Sequence, residues 1–404
     1  MSRSALAAAT MVLGLALSAC TTLEDAPLKA RLQRGVDRGY PGMAMVVQGP
    51  DRRLRGAATG FADLERHIRM RPDDGFHIGS VTKTFTAVAA LRLVDQGRLD
   101  LGSTLKDVLG EAAGRIPYAD QITISQLLDH ASGIYPTNND LDYLNTVVGP
   151  QADPARVWSF EEMIALADKS RQPPTHKPGE GHSYSDTNYI LLGMIVEKVT
   201  GQPFKEYVRE TIFRPLGMGS TYFYSDYLGP DARPPHRHVQ GYMLETEAIR
   251  RVIAVNPMFK PVPGAHPANG RLLNTTLAAE RGDANGGVMS TLPDLMRFAD
   301  ALFRARLLSP GSQAFLMAAA DGMLAEDLNR PRTLTLQAVR KPYGVMVYKE
   351  GDGPGGSTAL MAYLPARDEI YIGFTNRFGG EFDHVDFMMD DVIGPTVTAA
   401  DARP

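Results

Sequence analysis

The chain has 404 residues, of which 44% are hydrophobic and 22% are charged, and its formal net charge is −4. This apolar share excludes a disordered or collagen-like chain. Acidic residues outnumber basic ones, so no surplus positive charge is available to bind the phosphates of a nucleic acid. The single cysteine excludes an intrachain disulfide, and no Cys/His cluster could form a structural zinc site.

The first twenty residues, MSRSALAAATMVLGLALSAC, have the pattern of a secretion signal. The apolar run of residues 5–19 is too short to span a bilayer as a helix but suits a signal peptide. It ends in Leu-Ser-Ala-Cys, which resembles the bacterial lipoprotein signal, and Cys20 is at the position that such a signal lipidates. We expect residues 1–19 to be removed and Cys20 to carry the lipid; the alternative is an ordinary signal peptide followed by an incidental cysteine. Thr21 favours the outer membrane, so a lipid-anchored periplasmic protein is predicted.

Beyond the cysteine, residues 20–40 form a polar stem that we expect to act as a tether. Residues 43–47 and 53–63 have the apolar and alternating patterns of two β-strands. From Ser80 the period changes, because apolar side chains recur on one helical face until Gly97. A long helix is therefore predicted directly after Ser80.

The middle of the chain, about residues 99–290, is predicted to be mostly helical, with long loops rich in proline and glycine. The clearest helices are predicted at residues 125–130, 159–167, 187–199 and 203–212. Residues 257–270 contain too many prolines for a regular element and are predicted to be a loop.

Strand patterns return near the C-terminus, after an amphipathic helix that is predicted to end at about Phe303. Predicted strands at residues 343–348, 358–364 and 369–375 precede a last helix at residues 383–392. Strands at both ends of a helical middle indicate one sheet built from both chain ends. The predicted domains are a sheet domain of residues 41–98 and 291–395 and an inserted, mostly helical domain of residues 99–290.

Ser80 and Lys83 are the first candidates for catalysis. A Ser and a Lys three residues apart at the start of a helix lie on one face, within hydrogen-bonding reach. The helix N-terminus favours an alkoxide at the serine and lowers the pKa of the lysine, and apolar neighbours lower that pKa further. Such a lysine could be the base that a serine nucleophile needs. A second Ser-x-x-Lys pattern, at Ser103 and Lys106, lacks apolar surroundings and is expected to be a helix cap with a solvated lysine.

Tyr184 is the second candidate, because it lies in a loop that leads into the apolar segment of residues 190–196. An arbitrary tyrosine here would be a packing residue. Beside a Ser/Lys pair, however, its phenol could relay a proton to and from Ser80.

Four motifs in this order resemble the serine β-lactamase-like superfamily: Ser80-x-x-Lys83, LLDHASG at residues 127–133, Tyr184-Ser-Asp186 and GGVMST at residues 286–291. The resemblance extends from about residue 42 to about residue 391, and its branches are class C β-lactamases, D,D-peptidases, D-aminopeptidases and family VIII esterases. It implies an α/β fold in which an antiparallel sheet is flanked by helices. It also implies that Ser80 is acylated, that Lys83 is its base partner and that Tyr184 exchanges protons with the leaving group and water.

Asp186 is a departure from this family, which usually has Tyr-x-Asn. A carboxylate only accepts hydrogen bonds, and its negative charge raises the pKa of a neighbouring lysine. A lysine that stays protonated cannot act as the general base, so this role shifts towards Tyr184. Asp186 could also favour substrates with a positive amine, such as a free D-amino terminus. His130, within LLDHASG, is expected to be a buried, hydrogen-bonded histidine rather than a catalytic one.

The third family motif, Lys/His-x-Gly on a strand beside the site, is altered in this sequence. A gap-free count places Glu350 at the Lys/His position, whereas a shift of one residue places Lys349 there. Both are therefore candidate substrate-binding residues, and the second oxyanion N–H is expected from Asp352 or Gly353. A glutamate in the site would impair recognition of a substrate carboxylate.

Two hypotheses follow for the function. The first is a serine hydrolase that forms an acyl-enzyme on Ser80 with an amide or ester substrate, either a small molecule or a peptide, and that requires no cofactor. The second is a catalytically impaired binding or scaffold lipoprotein of the same fold. No metal site is expected, because His236 and His238 lie in a loop without nearby carboxylates.

Overall fold

The computed structural model describes residues 25–137, 140, 143, 153, 156–168, 172–228, 234–245, 260–262, 271–275, 282–324, 335–353, 355–379 and 384–401. The predicted signal peptide and Cys20 lie outside these residues. Within the described part of the chain, none of the helices has the length and apolar character needed to span a bilayer.

The strands are β1 Gly42–Gln48, β2 Leu54–Asp63, β3 Ile68–Arg69, β4 Phe76–His77, β5 Tyr222–Phe223, β6 Tyr242–Glu245, β7 Lys260–Pro261, β8 Arg271–Asn274, β9 Val288–Ser290, β10 Gln337–Lys341, β11 Gly344–Gly353, β12 Ser357–Leu364, β13 Glu369–Thr375 and β14 Arg377–Phe378. The α-helices are α1 Ala26–Asp37, α2 Thr82–Asp95, α3 Leu105–Leu109, α4 Ile124–Leu128, α5 Phe160–Leu166, α6 Asp186–Thr200, α7 Phe204–Val208, α8 Leu292–Phe303, α9 Pro310–Leu324, α10 His384–Asp386 and α11 Gly394–Asp401. Two π-helical segments, Arg209–Phe213 and Phe387–Ile393, continue α7 and α10.

The central sheet has seven strands in the order β10-β11-β12-β13-β1-β2-β3. Its pairs are antiparallel, and β1 from the N-terminal part lies directly beside β13 from the C-terminal part. The predicted α/β fold, with an antiparallel sheet built from both chain ends, is therefore confirmed. Two smaller sheets, β14-β6-β8-β7 and β4-β9-β5, lie outside it.

Each face of the central sheet is covered by helices, because side chains alternate between the two faces along a strand. In β1, Met43 and Met45 belong to an apolar cluster with Leu28 and Leu32 of α1. Val46, on the opposite face, belongs to the larger apolar cluster that includes α2, α6 and α8. Helix α2 is thus buried between the sheet and the helical part of the chain, which places its first turn in the interior of the protein.

Several local predictions need correction. The predicted tether of residues 20–40 contains α1, which is anchored on the sheet by its buried apolar face. The loop predicted at residues 257–270 contains β7, which pairs with β8; apart from residues 260–262 it lies outside the described residues. The predicted strand at residues 343–348 continues to Gly353, which extends the sheet edge towards α2. The domain boundaries remain a prediction.

Candidate active site

The structure brings Ser80, Lys83 and Tyr184 into direct contact. The Lys83 ammonium donates a hydrogen bond to Ser80 Oγ at 2.9 Å, and Tyr184 Oη lies 2.6 Å from the same oxygen. Lys83 is fully buried, whereas Tyr184 is 38% exposed. The hydroxyl of Ser80 is thus held between a buried amine and the phenol of a tyrosine that is partly exposed.

The local fold explains where Ser80 lies. Gly79–Val81 form a 3₁₀ turn that runs directly into α2, so the serine is at the N-terminal end of a long buried helix. Backbone N–H groups at such an end are not used by the helix and are available to a negatively charged group. Lys83, one turn further on, reaches back to the serine along the same helix face.

Lys83 is surrounded by three oxygen acceptors. Besides Ser80 Oγ, its ammonium donates to the carbonyl oxygen of Asn285 at 2.7 Å and lies 2.5 Å from Asp186 Oδ1. Asp186 is the first residue of α6 and is only 4% exposed. An ammonium has three N–H groups, so this arrangement satisfies the charged form of Lys83 completely. The buried carboxylate favours that charged form as well.

This ion pair bears on the two roles predicted for Asp186. Its carboxylate lies inside the protein and is paired with Lys83. Contact of Asp186 with a substrate amine stays a prediction. The effect of Asp186 on the protonation of Lys83 is the role that the geometry supports.

Tyr184 is held with its phenol in the neutral form. Burial of the phenol group, opposed in part by the nearby Lys83 ammonium, raises the pKa of Tyr184 to about 12. The Lys83 ammonium lies 5.0 Å from the centre of the Tyr184 ring. At neutral pH the phenol therefore carries its proton and can both donate and accept a hydrogen bond.

Strand β11 supplies the next side chain of the site. Lys349 is 2% exposed, and its ammonium lies 5.2 Å from the centre of the Tyr184 ring. Glu350 follows on the opposite face of the strand and is half-buried. The structure thus supports the register Lys349-Glu-Gly351 and does not support the gap-free count that placed Glu350 in the site. Burial, assisted by the positive charge of Lys83, lowers the pKa of Lys349 to about 7.

Two glycines let the β11 backbone approach the turn that carries Ser80. A Cβ atom at Gly351 would lie 1.9 Å from the carbonyl oxygen of Ile78 and 2.7 Å from Ser80 N. A Cβ atom at Gly79, whose φ is +49°, would lie 2.7 Å from Asp352 N. The β11 backbone at Gly351 and Asp352 therefore lies directly against the turn that carries Ser80. In this register the predicted oxyanion donor on β11 is Asp352, and Gly353 lies one residue beyond it.

Asn285 is a residue of the site that the sequence analysis did not identify, because a backbone carbonyl leaves no sequence motif. It is presented to Lys83 by two threonines on α2. Thr86 donates to the carbonyl oxygen of Ala284, and Thr82 accepts from the N–H of Val288. The sequence does place Thr82 and Thr86 on one helix face, and this spacing was the available sign that α2 holds another segment there.

The other candidates from the sequence lie elsewhere. In the second Ser-x-x-Lys pattern, Thr104 caps α3 and Lys106 is exposed, as expected for a helix cap with a solvated lysine. His238 contacts Tyr222 through its ring nitrogen. In the part of the chain that the structure describes, no group of three His, Cys, Asp or Glu side chains could hold a metal ion.

Comparison with protein families shows to which family this chain belongs. The family model described as Beta-lactamase matches residues 28–390, which is most of the chain. The chain belongs to the β-lactamase family. It is a serine hydrolase of the β-lactamase/transpeptidase-like superfamily, and the resemblance inferred from its motifs is confirmed.

Two relatives in this family are penicillin-binding protein 4* of Bacillus subtilis (strain 168) and a putative D-alanyl-D-alanine carboxypeptidase of Escherichia coli O157:H7. The first is 24% identical over 336 residues, which cover 83% of this chain and 68% of that protein. The second is 32% identical over 204 residues, which cover 48% of this chain and 45% of that protein. The match thus spans less than half the length of the carboxypeptidase.

Solved structures of the same superfamily have the same fold. A D-stereospecific amidohydrolase from Streptomyces sp. is 25% identical, with a TM-score of 0.71 and coverage of 92% of this chain and 99% of that chain. The D-amino acid amidase from Ochrobactrum anthropi SV3, complexed with D-phenylalanine, is 23% identical, with a TM-score of 0.73 and coverage of 92% and 98%. The predicted fold therefore holds over nearly the whole chain.

Proposed function

We propose that Ser80 is the nucleophile of this hydrolase and that it forms an acyl-enzyme with amide or ester substrates. The observation that carries this proposal is the contact of Ser80 Oγ with both Lys83 Nζ and Tyr184 Oη. A serine hydroxyl is a weak nucleophile unless neighbouring groups take its proton and stabilise its charge. Here Tyr184 can take the proton of Ser80, and Lys83 can stabilise the charge.

In acylation, Ser80 Oγ attacks the carbonyl carbon and its proton passes to Tyr184 Oη. The phenol in turn gives its own proton to the leaving nitrogen or oxygen, so Tyr184 remains neutral through the step. Lys83, kept charged by Asp186, stabilises the negative charge that develops on Ser80 Oγ. Deacylation is the same sequence in reverse, with water in place of the leaving group.

The oxyanion of the tetrahedral intermediate is proposed to bind the backbone N–H groups of Ser80 and Asp352. The close approach permitted by Gly79 and Gly351 supports this pairing, because it places β11 directly against the nucleophile's turn. Donors held in a fixed arrangement stabilise the intermediate without reorganisation.

For the substrate, we propose an amide or peptide with a D-configured residue on the acyl side. Support comes from the relatives, among which are a putative D-alanyl-D-alanine carboxypeptidase, a D-stereospecific amidohydrolase and a D-amino acid amidase. We further propose that the Lys349 ammonium attracts a free carboxylate when the substrate carries one. Hydrolysis of esters and of β-lactams belongs to the same chemistry and is tested alongside.

The test is a substrate panel measured with the purified protein and with Ser80→Ala. The panel contains D- and L-alanine p-nitroanilide, a peptide ending in D-Ala-D-Ala, a short p-nitrophenyl ester and a chromogenic cephalosporin. We expect hydrolysis of at least one D-configured amide and its complete loss in Ser80→Ala. Equal rates for the D- and L-anilides would contradict the proposed substrate, and activity retained in Ser80→Ala would contradict the nucleophile.

The scaffold alternative makes a different prediction, since a non-catalytic protein would show no turnover of any substrate and no acylation of Ser80. The intact contact between Ser80, Lys83 and Tyr184 supports the enzyme, because a scaffold has no need of a buried lysine beside a serine.

We also propose that the mature protein is anchored in the periplasm, most favourably at the outer membrane, by a lipid on Cys20. The sequence Leu-Ser-Ala-Cys and the position of the single cysteine support this proposal. Metabolic labelling with palmitate should mark the wild-type protein and not Cys20→Ser. The substituted protein should leave the membrane fraction, and retention of both the label and the membrane location would contradict the proposal.

A further inference from the structure

We propose that His130 is a positioning residue of the reaction, which holds the Tyr184 ring so that its phenol meets Ser80 Oγ. The proposal rests on the proposed role of Tyr184 as the proton relay. His130 itself lies outside the reacting groups, since the atoms that contact Ser80 Oγ belong to Lys83 and Tyr184.

The first observation is the packing of the two rings. The imidazole of His130 is completely buried and stacks on the Tyr184 ring, with the ring centres 4.5 Å apart and the planes inclined by 30°. Tyr184 as a whole residue is 38% exposed, and the Lys83 and Lys349 ammonium groups lie 5.0 and 5.2 Å from the centre of its ring. The buried imidazole is the aromatic surface on which this ring packs.

The second observation is a set of hydrogen bonds that fixes the imidazole. The N–H of Ser185, the residue after Tyr184, donates to His130 Nδ1 at 3.1 Å. The side-chain amide of Asn188 also approaches Nδ1, at 3.0 Å, and its oxygen accepts from Ser132 at 2.6 Å. His130 thereby holds both the ring of Tyr184 and the backbone beside it.

These bonds also fix the protonation state of the imidazole. A backbone N–H can only donate, so Nδ1 must be the acceptor and the ring proton lies on Nε2. A second proton on Nδ1 would face the Ser185 N–H and break this bond. Burial and the positive charges of Lys349 and Lys83 act in the same direction and lower the pKa of His130 well below its usual value.

The backbone of His130 restricts what can replace it. Its φ is +53°, in the left-handed region that most side chains avoid and that asparagine tolerates. Asparagine also carries an oxygen that can replace Nδ1 as the acceptor of the Ser185 N–H, but it has no ring. His130→Asn therefore keeps the backbone and the acceptor and removes the stacking surface.

The experiment measures kcat and KM of His130→Asn on the best substrate of the panel, in the wild-type background and in Tyr184→Phe. We expect kcat to fall about 10- to 100-fold with KM changed less than about twofold, because a misplaced phenol slows the proton transfer and leaves substrate binding intact. In the Tyr184→Phe background the same substitution should cost less than about twofold, because the phenol through which His130 acts is already absent.

A matched control separates positioning from simple loss of packing. His384 is also buried and packs against a tyrosine, Tyr40, with ring centres 5.2 Å apart, but behind the central sheet. His384→Asn should lower the thermal unfolding temperature without lowering kcat. Equal losses of kcat for His130→Asn in the wild-type and Tyr184→Phe backgrounds, or an unchanged kcat in the wild-type background, would overturn the proposal. If His130→Asn does not fold, His130→Gly, which tolerates the same φ and also lacks the ring, takes its place with the same expected outcomes.

Discussion

The environment of Lys83 differs from the pattern that is usual in the family. Its ammonium is held by the carboxylate of Asp186 at 2.5 Å, where the family usually has an amide. A carboxylate in that place favours the charged lysine, and a charged lysine can stabilise an alkoxide but cannot accept a proton. In the proposed mechanism, proton transfer is therefore the task of Tyr184.

Asp186→Asn tests this assignment through the pH dependence of kcat/KM on a neutral ester. Without the carboxylate, Lys83 should lose its proton at a lower pH. Because the charged lysine is the active form in the proposed mechanism, the alkaline limb of the profile should move to lower pH.

The opposite behaviour is equally measurable. If neutral Lys83 were the base, Asp186→Asn would move the acidic limb to lower pH and raise the activity near neutrality. That result would return the lysine to the role that it has in the family resemblance.

Lys349 gives a second pH dependence, which depends on the substrate. Its pKa of about 7 means that the side chain is a cation below that pH and neutral above it. For a peptide with a free carboxylate, kcat/KM should therefore fall above about pH 7, by up to about tenfold per pH unit, relative to the same peptide with an amidated end. In Lys349→Met the two peptides should have parallel profiles. A fall of the same size for both peptides in the wild type would contradict carboxylate recognition.

For individual residues, the sequence indicated which side chains form the site but not which backbone groups do. Ser80, Lys83 and Tyr184 could be predicted because their chemistry requires those residue types. Asn285 could not, since it contributes its carbonyl oxygen to Lys83 and any residue has one. Asp186 was identified as unusual, but its burial and its ion pair with Lys83 are properties of the fold.

Strand β11 is the element whose placement the site depends on most. Its edge near Ser80 is held at a distance that leaves no room for a Cβ atom at Gly351. The sequence left two registers open here, because Lys349 and Glu350 are adjacent and a shift of one residue exchanges the two faces of a strand. The burial of Lys349 near Tyr184 depends on the tertiary fold, so the sequence pattern alone could not choose between the two registers.

Gly351→Ala should separate the strand from the turn that carries Ser80. The added Cβ meets backbone atoms, which cannot rotate away, so we expect kcat to fall by at least about 100-fold as the oxyanion donor moves. The free energy of unfolding, measured in urea, should fall by about 1 to 3 kcal/mol.

Gly353→Ala is the control on the same strand, because a Cβ atom at Gly353 meets nothing within 4 Å. Its free energy of unfolding should stay within about 0.5 kcal/mol of the wild-type value, and its kcat should be retained. Equal losses of kcat in Gly351→Ala and Gly353→Ala would show that catalysis does not depend on the close approach of β11 to the turn that carries Ser80.

For the whole molecule, α1 is part of the folded body. Residues 20–40 looked like a tether because their composition is polar, but α1 buries one apolar stripe that includes Leu28 and Leu32 against the sheet. A short amphipathic helix among charged residues gives a weak sequence signal. The sheet built from both chain ends was predictable, because the strands near the two termini can satisfy their backbone hydrogen bonds by pairing with each other, as β1 and β13 do.

Leu32→Ala distinguishes a packed helix from a tether. Leu32 is completely buried, so removing its side chain should lower the free energy of unfolding by about 2 to 5 kcal/mol. Urea denaturation followed by circular dichroism measures the difference. An unchanged midpoint would mean that α1 contributes nothing to the folded body.

The most direct test of the account is the covalent state of Ser80. The purified protein is treated with a fluorophosphonate probe, and its intact mass and tryptic peptides are measured by mass spectrometry. We expect one probe per chain, located on the peptide that contains Ser80, and no labelling of Ser80→Ala. Labelling at another residue, or a folded wild-type protein that stays unlabelled, would contradict the assignment of Ser80 as the nucleophile.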